Sequence, residues 1–222
     1  MHLAFAIPGD PDARTGGTLY DRHVVDALRG LGHDVTLVAL PGSWPWPDAA
    51  DQAGAVARLA ALRDGLPVII DGLAFGALSP WAVDQITRPS IAMVHHPLAL
   101  EPGLARDSAA QLHARERANL AHAARIVVPS AHVGGLLTKG FGVGPDKLHV
   151  APPGFAPVGR AAPGTAPQGP PLILSVGLVC HRKGHDVLLR ALATVSDLDW
   201  RAVIAGKPQD QGHMAELTRL RD

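Results

Sequence analysis

The stretch LAFAIPGDPDARTGGTLYDRHVVDALRGLGHDVTLVAL, residues 3–40, decides the fold. LAFAI (3–7) is a continuous apolar run, the mark of a strand buried on both faces of a parallel sheet. PGDPDARTGG then supplies a Gly-, Pro- and Asp-rich loop. From Thr18 to Leu31 the residues Leu19, Val24, Val25, Leu28 and Leu31 recur at helical spacing, and Gly32 is the candidate C-cap. DVTLVAL (34–40) returns to a strand, so the first forty residues read as one strand–helix–strand unit of an α/β fold.

The same alternation runs on. PGSWPWPDAAD is a loop and AVARLAALRDG a helix; PVIIDG (67–72) is a third strand and PSIAMV (89–94) a fourth, ending at HHP. Residues 104–124 form a long helix whose arginines and histidine read as a solvated face. RIVVPS (125–130) is a fifth strand leading into a helix at 131–139, and KLHVAPPG (147–154) holds a last short strand. Short loops between strands and helices imply an open, doubly wound parallel sheet over residues 1–154. FAPVGRAAPGTAPQGPP (155–171) has linker composition. LILSVG (172–177), KGHDVLLRALA, WRAVIAG (200–206) and HMAELTRLRD (213–222) then begin a second domain, residues 172–222, with two strands and two helices.

Composition narrows the function. The chain has 222 residues, and its 20 Lys and Arg balance 20 Asp and Glu, which removes the basic surface that bulk nucleic-acid binding needs. One cysteine allows no internal disulfide, and the N-terminus lacks the basic start and apolar run of a signal peptide. The expectation is a cytoplasmic protein, free or at the inner membrane surface. No segment approaches the roughly 18 apolar residues of a membrane span, whereas peripheral contact needs only an amphipathic face.

Three stretches can carry chemistry. Gly16 and Gly17 lie between the first strand and the first helix, where backbone can approach a ligand and helix amides face an anion; the bland alternative is a tight turn. His95, in HHP, follows a strand at its carboxyl end, the edge of an open sheet where ligands bind. Glu101 lies in the same loop. Arg182 and Lys183 stand in the turn before a helix, where cations are disfavoured unless an anion occupies the turn. Asp10, Asp12 and Asp71 read as solvated carboxylates and Cys180 as an inert thiol, and adjacent histidines with no third ligand at useful spacing give no metal site. A nicotinamide enzyme is excluded, because G-x-G-x-x-G is absent and the second strand ends in VALPG without an acidic residue.

In order along the chain, TGGTLYDRHVVDALRGLGHDVTLVAL, VHHPLALEPGL, RIVVPSAHVGGLL, VAPPG and SVGLVCHRKGHDVLLRALA resemble the retaining GT-B glycosyltransferases of glycosyltransferase family four. The resemblance implies a GT-B architecture: an N-terminal Rossmann-like domain mostly serving the acceptor, and a C-terminal one serving a nucleotide-sugar donor. It places Gly16 and Gly17 by the donor diphosphate and sugar, His95 on the donor sugar near the reaction centre, and Lys183 on the diphosphate. It also implies a glycan or lipid-linked acceptor, no cofactor and no metal. The family often has Arg after the glycine of its SVG strand; here that residue is Leu178, and Arg182 is the candidate substitute. The family's E-x7-E segment lies beyond residue 222, so the expectation is a donor domain begun and not completed. The alternative reading is a non-catalytic acceptor-binding or interaction module.

Overall fold

The computed structural model describes residues 1–13, 15–154 and 169–222. Two compact units divide the chain, Met1–Phe155 and Ala156–Asp222. Of the linker expected at 155–171, residues 155–168 lie outside the described residues.

The first unit is a six-stranded sheet with helices on both faces. Its elements in chain order are β1 (His2–Pro8), α1 (Gly16–Gly30), β2 (Asp34–Leu40), α2 (Ala49–Ala60), β3 (Val68–Asp71), α3 (Gly72–Ala77), α4 (Pro80–Asp84), β4 (Ser90–Met93), α5 (Arg106–His122), β5 (Arg125–Val128), α6 (Ala131–Phe141) and β6 (Leu148–Val150). The spatial order is β2-β1-β3-β4-β5-β6 and every pairing is parallel. The chain reverses direction of winding at β1, so the crevice outside the carboxyl ends of β1 and β3 is the switch point at which such sheets bind ligands.

β1 shows how the sequence specifies this sheet. Leu3 to Ile7 are all buried. Alternation sends Leu3, Phe5 and Ile7 to one face, against Val25 of α1 and Val35, while Ala4 and Ala6 face a larger core with Val38, Ile70 and Phe75. Burying a side chain such as Phe5 or Ile7 contributes about 1.5–3 kcal/mol, and small alanines on the opposite face let helices sit close to the sheet.

Helix starts differ from the pattern-based reading where caps decide them. α1 begins at Gly16 rather than Thr18, because the Thr15 hydroxyl accepts the Thr18 amide at 3.2 Å. α2 begins six residues before AVARL, because Asp48 and Asp51 accept reciprocally from each other's backbone amides. Helices α3 and α4 are too short to show a period; Asp71 caps the first and Ser79 the second. No described helix is long and apolar enough to cross a membrane.

The second unit pairs β7 (Leu172–Val176) in parallel with β8 (Arg201–Ala205). Between them run a 3-10 turn (His181–Lys183) and α7 (His185–Ala193); α8 (Gln211–Arg221) follows, started by the Asp210 carboxylate, and packs with α7. Leu174 and Val176 are 57% and 74% exposed, so one face of this two-stranded sheet is apolar and bare.

Candidate active site

His95 stands two residues beyond β4, at the carboxyl edge of the sheet. Its Nε2 lies 2.9 Å from Oδ1 of Asp21 and 3.1 Å from Oδ2 of Asp71. Asp21 projects from the second turn of α1 and is fully buried; Asp71 is the last residue of β3, 4% exposed. The ring itself keeps 24% of its side-chain surface open. Tyr20 meets it edge-on, with centroids 5.1 Å apart and planes at 84°, and the Tyr20 hydroxyl donates to the Ala151 carbonyl at 2.9 Å.

Gly17 completes the wall. A Cβ at that position would lie 3.6 Å from Cδ2 of His95, so a larger side chain would fill the space beside the ring; at Gly16 the corresponding space is open. The structure therefore brings together two of the stretches marked in the sequence, the glycine turn and the HHP loop. It also corrects the reading of Asp71. That carboxylate is not solvated: Oδ1 accepts the Leu73 amide at 2.7 Å as the cap of α3, and Oδ2 binds His95. α3 can start there because Gly72 packs onto β4, where a Cβ would come within 2.8 Å of the Met93 carbonyl oxygen. Asp10 and Asp12 are exposed, as expected; the Asp10 carboxylate accepts the Asp12 amide, and Asp12 pairs with Arg22 at 3.0 Å.

The electrostatics of the cluster are those of a buried ion network. Burial favours a neutral His95 ring, but hydrogen bonds to Asp21 and Asp71 and their charges outweigh it and lift the imidazole to about 9. Burial pushes Asp21 up to about 7, with the neighbouring Asp71 carboxylate adding to the rise and His95 opposing it. Both groups bind protons more tightly folded than unfolded. Their stabilisation is therefore lost as pH rises, for Asp21 between its ordinary range near 4 and about 7, and for His95 between about 6.5 and about 9. Urea melts should show the first unit weaker at pH 9 than at pH 6, and His95→Gln, which has no proton to lose, should flatten the upper part of that slope.

The loop after His95 is held from below. Glu116 of α5, 2% exposed, accepts the Leu98 amide on Oε1 at 2.8 Å and the Ala99 amide on Oε2 at 2.9 Å, anchoring a 3-10 turn at Leu98–Leu100. Burial raises the Glu116 carboxyl above its usual range, against the pull of those amides. Asn119 donates to the Phe75 and Leu78 carbonyls at 2.8 Å each, and Arg115 to the Ala77 carbonyl at 3.0 Å, closing the end of α3. α5 is thus not simply a solvated helix; one stripe of it is the polar frame of the loop. Glu101 sits at the end of the turn, its amide donating to the Leu98 carbonyl.

In the second unit, Arg182 and Lys183 lie in the 3-10 turn that Gly184 (φ +64°) closes before α7. Both are exposed, and the stem of Lys183 lies over Gly177, its Cε 3.6 Å from a Cβ built there. Cys180 is half-buried at the start of the turn.

Among the described residues, two groups of three ligand-type side chains come within 4.8 Å: Asp21, Asp71 and His95, and His181, His213 and Glu216. In the first, one oxygen of each carboxylate is already bonded to the same ring nitrogen. In the second, the imidazoles stack with centroids 3.8 Å apart, too close for two rings held edge-on by one ion, and Glu216 also faces Arg190 at 3.6 Å.

An open parallel α/β sheet with a buried His–Asp cluster at its β1/β3 edge, followed by a second α/β unit, is a fold of GT-B type. The family model of Glycosyltransferase Family 4 matches residues 15–157, well over half of the sequence, and the chain belongs to that family. Among solved structures, the apo form of the lipopolysaccharide outer core galactosyltransferase WaaB superposes with a TM-score of 0.56 at 14% identity, covering 100% of this chain and 66% of that one. The glycotransferase of kitacinnamycin gives a TM-score of 0.48 at 17% identity, with 91% and 65% covered. This chain therefore spans just under two thirds of the length of either. No curated protein matches by sequence.

Proposed function

We propose that the protein moves a sugar from a nucleotide-diphosphate sugar to a hydroxyl of a glycan or lipid-linked acceptor, with retention at the anomeric carbon. The observation that carries the reading is the placement of His95: clamped at the switch point by Asp21 and Asp71, beside Gly17 in the first turn of α1. A fixed ring nitrogen there can hydrogen-bond the donor sugar, and the positive end of α1 at Gly16 and Gly17 favours the diphosphate. Breaking the glycosidic bond leaves negative charge on that diphosphate. Charge that develops in a transition state is best met by groups already in position, and in this reading Lys183, with Arg182 beside it in place of the arginine absent at Leu178, supplies them. Glu101, at the end of the HHP loop, is assigned to the acceptor side. No cofactor takes part; the nucleotide sugar is a substrate.

Titration of the chain with UDP, GDP and ADP, followed by calorimetry, tests this. One of them should bind below millimolar, and Lys183→Ala should weaken it by about 1.5–3 kcal/mol, or about 10–150-fold. Affinity no better than millimolar for all three would favour a non-catalytic acceptor-binding module. With a donor identified, the anomeric configuration of the product decides retention.

A further inference from the structure

The Asp21–Asp71–His95 cluster contains more than a donor contact. Asp21 comes from α1 and Asp71 from the end of β3, so two elements distant in sequence deliver carboxylate oxygens to one and the same nitrogen, at 2.9 and 3.1 Å. Only a nitrogen that bears hydrogen can sit between two such oxygens; a bare lone pair would be repelled by both. The tautomer is thereby fixed with hydrogen on Nε2. The other oxygen of Asp21, Oδ2, is buried and has no hydrogen-bond partner. An ionised carboxylate tolerates that position poorly, which makes Asp21 the first of the pair to take up a proton as pH falls below neutrality, while at higher pH both carboxylates face the ring. Among the described residues, the titratable groups against the ring are Asp21 and Tyr20 from α1 and Asp71 from β3.

We propose that Asp21 and Asp71 are positioning residues that together hold His95 as an imidazolium, so that Nδ1 is kept as a hydrogen-bond donor for an oxygen of the bound nucleotide sugar. The assignment rests on the donor-site reading of His95 given above and adds to it the residues that set the ring's charge and direction. Without the clamp, a histidine in this place would be mostly neutral at pH 7.5 and its free nitrogen would accept rather than donate. With it, the ring offers only N–H groups, and a ligand atom opposite must be an acceptor: a hydroxyl or phosphate oxygen.

The test is a pH titration of the His95 imidazole by 15N and 13C NMR on the whole chain, wild type beside Asp21→Asn and Asp71→Asn. Asparagine keeps the shape of each side chain and caps a helix as well as aspartate, so α3 retains its start. In the wild type, Nε2 should show a bound hydrogen on both sides of a midpoint near 9. Each variant should lower that midpoint by about 1–3 pH units. A wild-type ring titrating near 6.5, or carrying its neutral-state hydrogen on Nδ1, would overturn the proposal with no variant needed; so would midpoints unmoved in both variants. Nucleotide-sugar affinity measured at pH 7.5 separates this from the donor-site reading. A weaker affinity in Asp21→Asn, restored below the lowered midpoint, supports both. A shifted midpoint with unchanged affinity at every pH keeps the proton arrangement and overturns the donor role of His95.

Discussion

Replacing His95 by alanine is expected to lower the rate of sugar transfer by about 10²–10³-fold, the usual cost of deleting one preorganised hydrogen-bond donor from a reaction centre. The loss should fall on kcat more than on KM if the ring acts on charge that grows in the transition state. The substitution also does something less local. Asp21 is fully buried and Asp71 almost so, and the imidazole is the cation between them. Remove it and two carboxylates face each other in a site that water barely enters, so one must take up a proton at neutral pH. His95→Gln separates the effects: an amide can still donate to the carboxylates, which preserves the fold, but cannot carry charge. Rates measured at saturating donor should order wild type, Gln, Ala. Equal rates for all three would remove His95 from the mechanism.

Glu116→Ala should lower the unfolding free energy of the first unit by about 3–5 kcal/mol, read as a lower urea midpoint with unchanged slope. The substitution strands the buried Leu98 amide, at about 1–3 kcal/mol, and the part-buried Ala99 amide, at less, and leaves a hole against Gly76, whose Cα hydrogens face the Glu116 side chain. Glu116→Gln keeps one acceptor oxygen, serves one amide, and should fall between wild type and alanine. Because those amides belong to the turn that begins three residues after His95, transfer by Glu116→Ala should suffer beyond its loss of folded protein. A wild-type midpoint in the alanine variant would mean that water replaces the carboxylate.

The fold was legible because a parallel strand covered on both faces must be apolar along its buried length, and LAFAI, VII, IAMV and IVV are such runs. His95 was legible for a related reason: a polar residue directly after one of those runs has to emerge at the ligand-binding edge. The carboxylates behind it were not. Asp21 sits in a helix among Arg22, His23 and Asp26 and looks solvated until the helix is phased; it lies four residues before Val25, on the buried stripe. The same phasing would have found Glu116, four residues after Leu112 and four before Leu120. Asp71 was misread because a strand-ending aspartate looks like a loop residue, although Asp-Gly-Leu-Ala is also the start of a capped helix. Composition favoured the wrong answer at all three, since charged residues are so seldom buried without a partner, and the partners came from elsewhere in the chain.

Tyr20 is the sole tyrosine of the sequence, and its ring rests against the edge of His95. Burial and the adjacent Asp21 charge already raise its phenol above the ordinary value. The one phenol of the chain thus stands beside the His95 ring. Fluorotyrosine incorporation would yield a single 19F resonance, free of overlap, whose frequency follows the imidazole's charge and any sugar nucleotide that settles beside it.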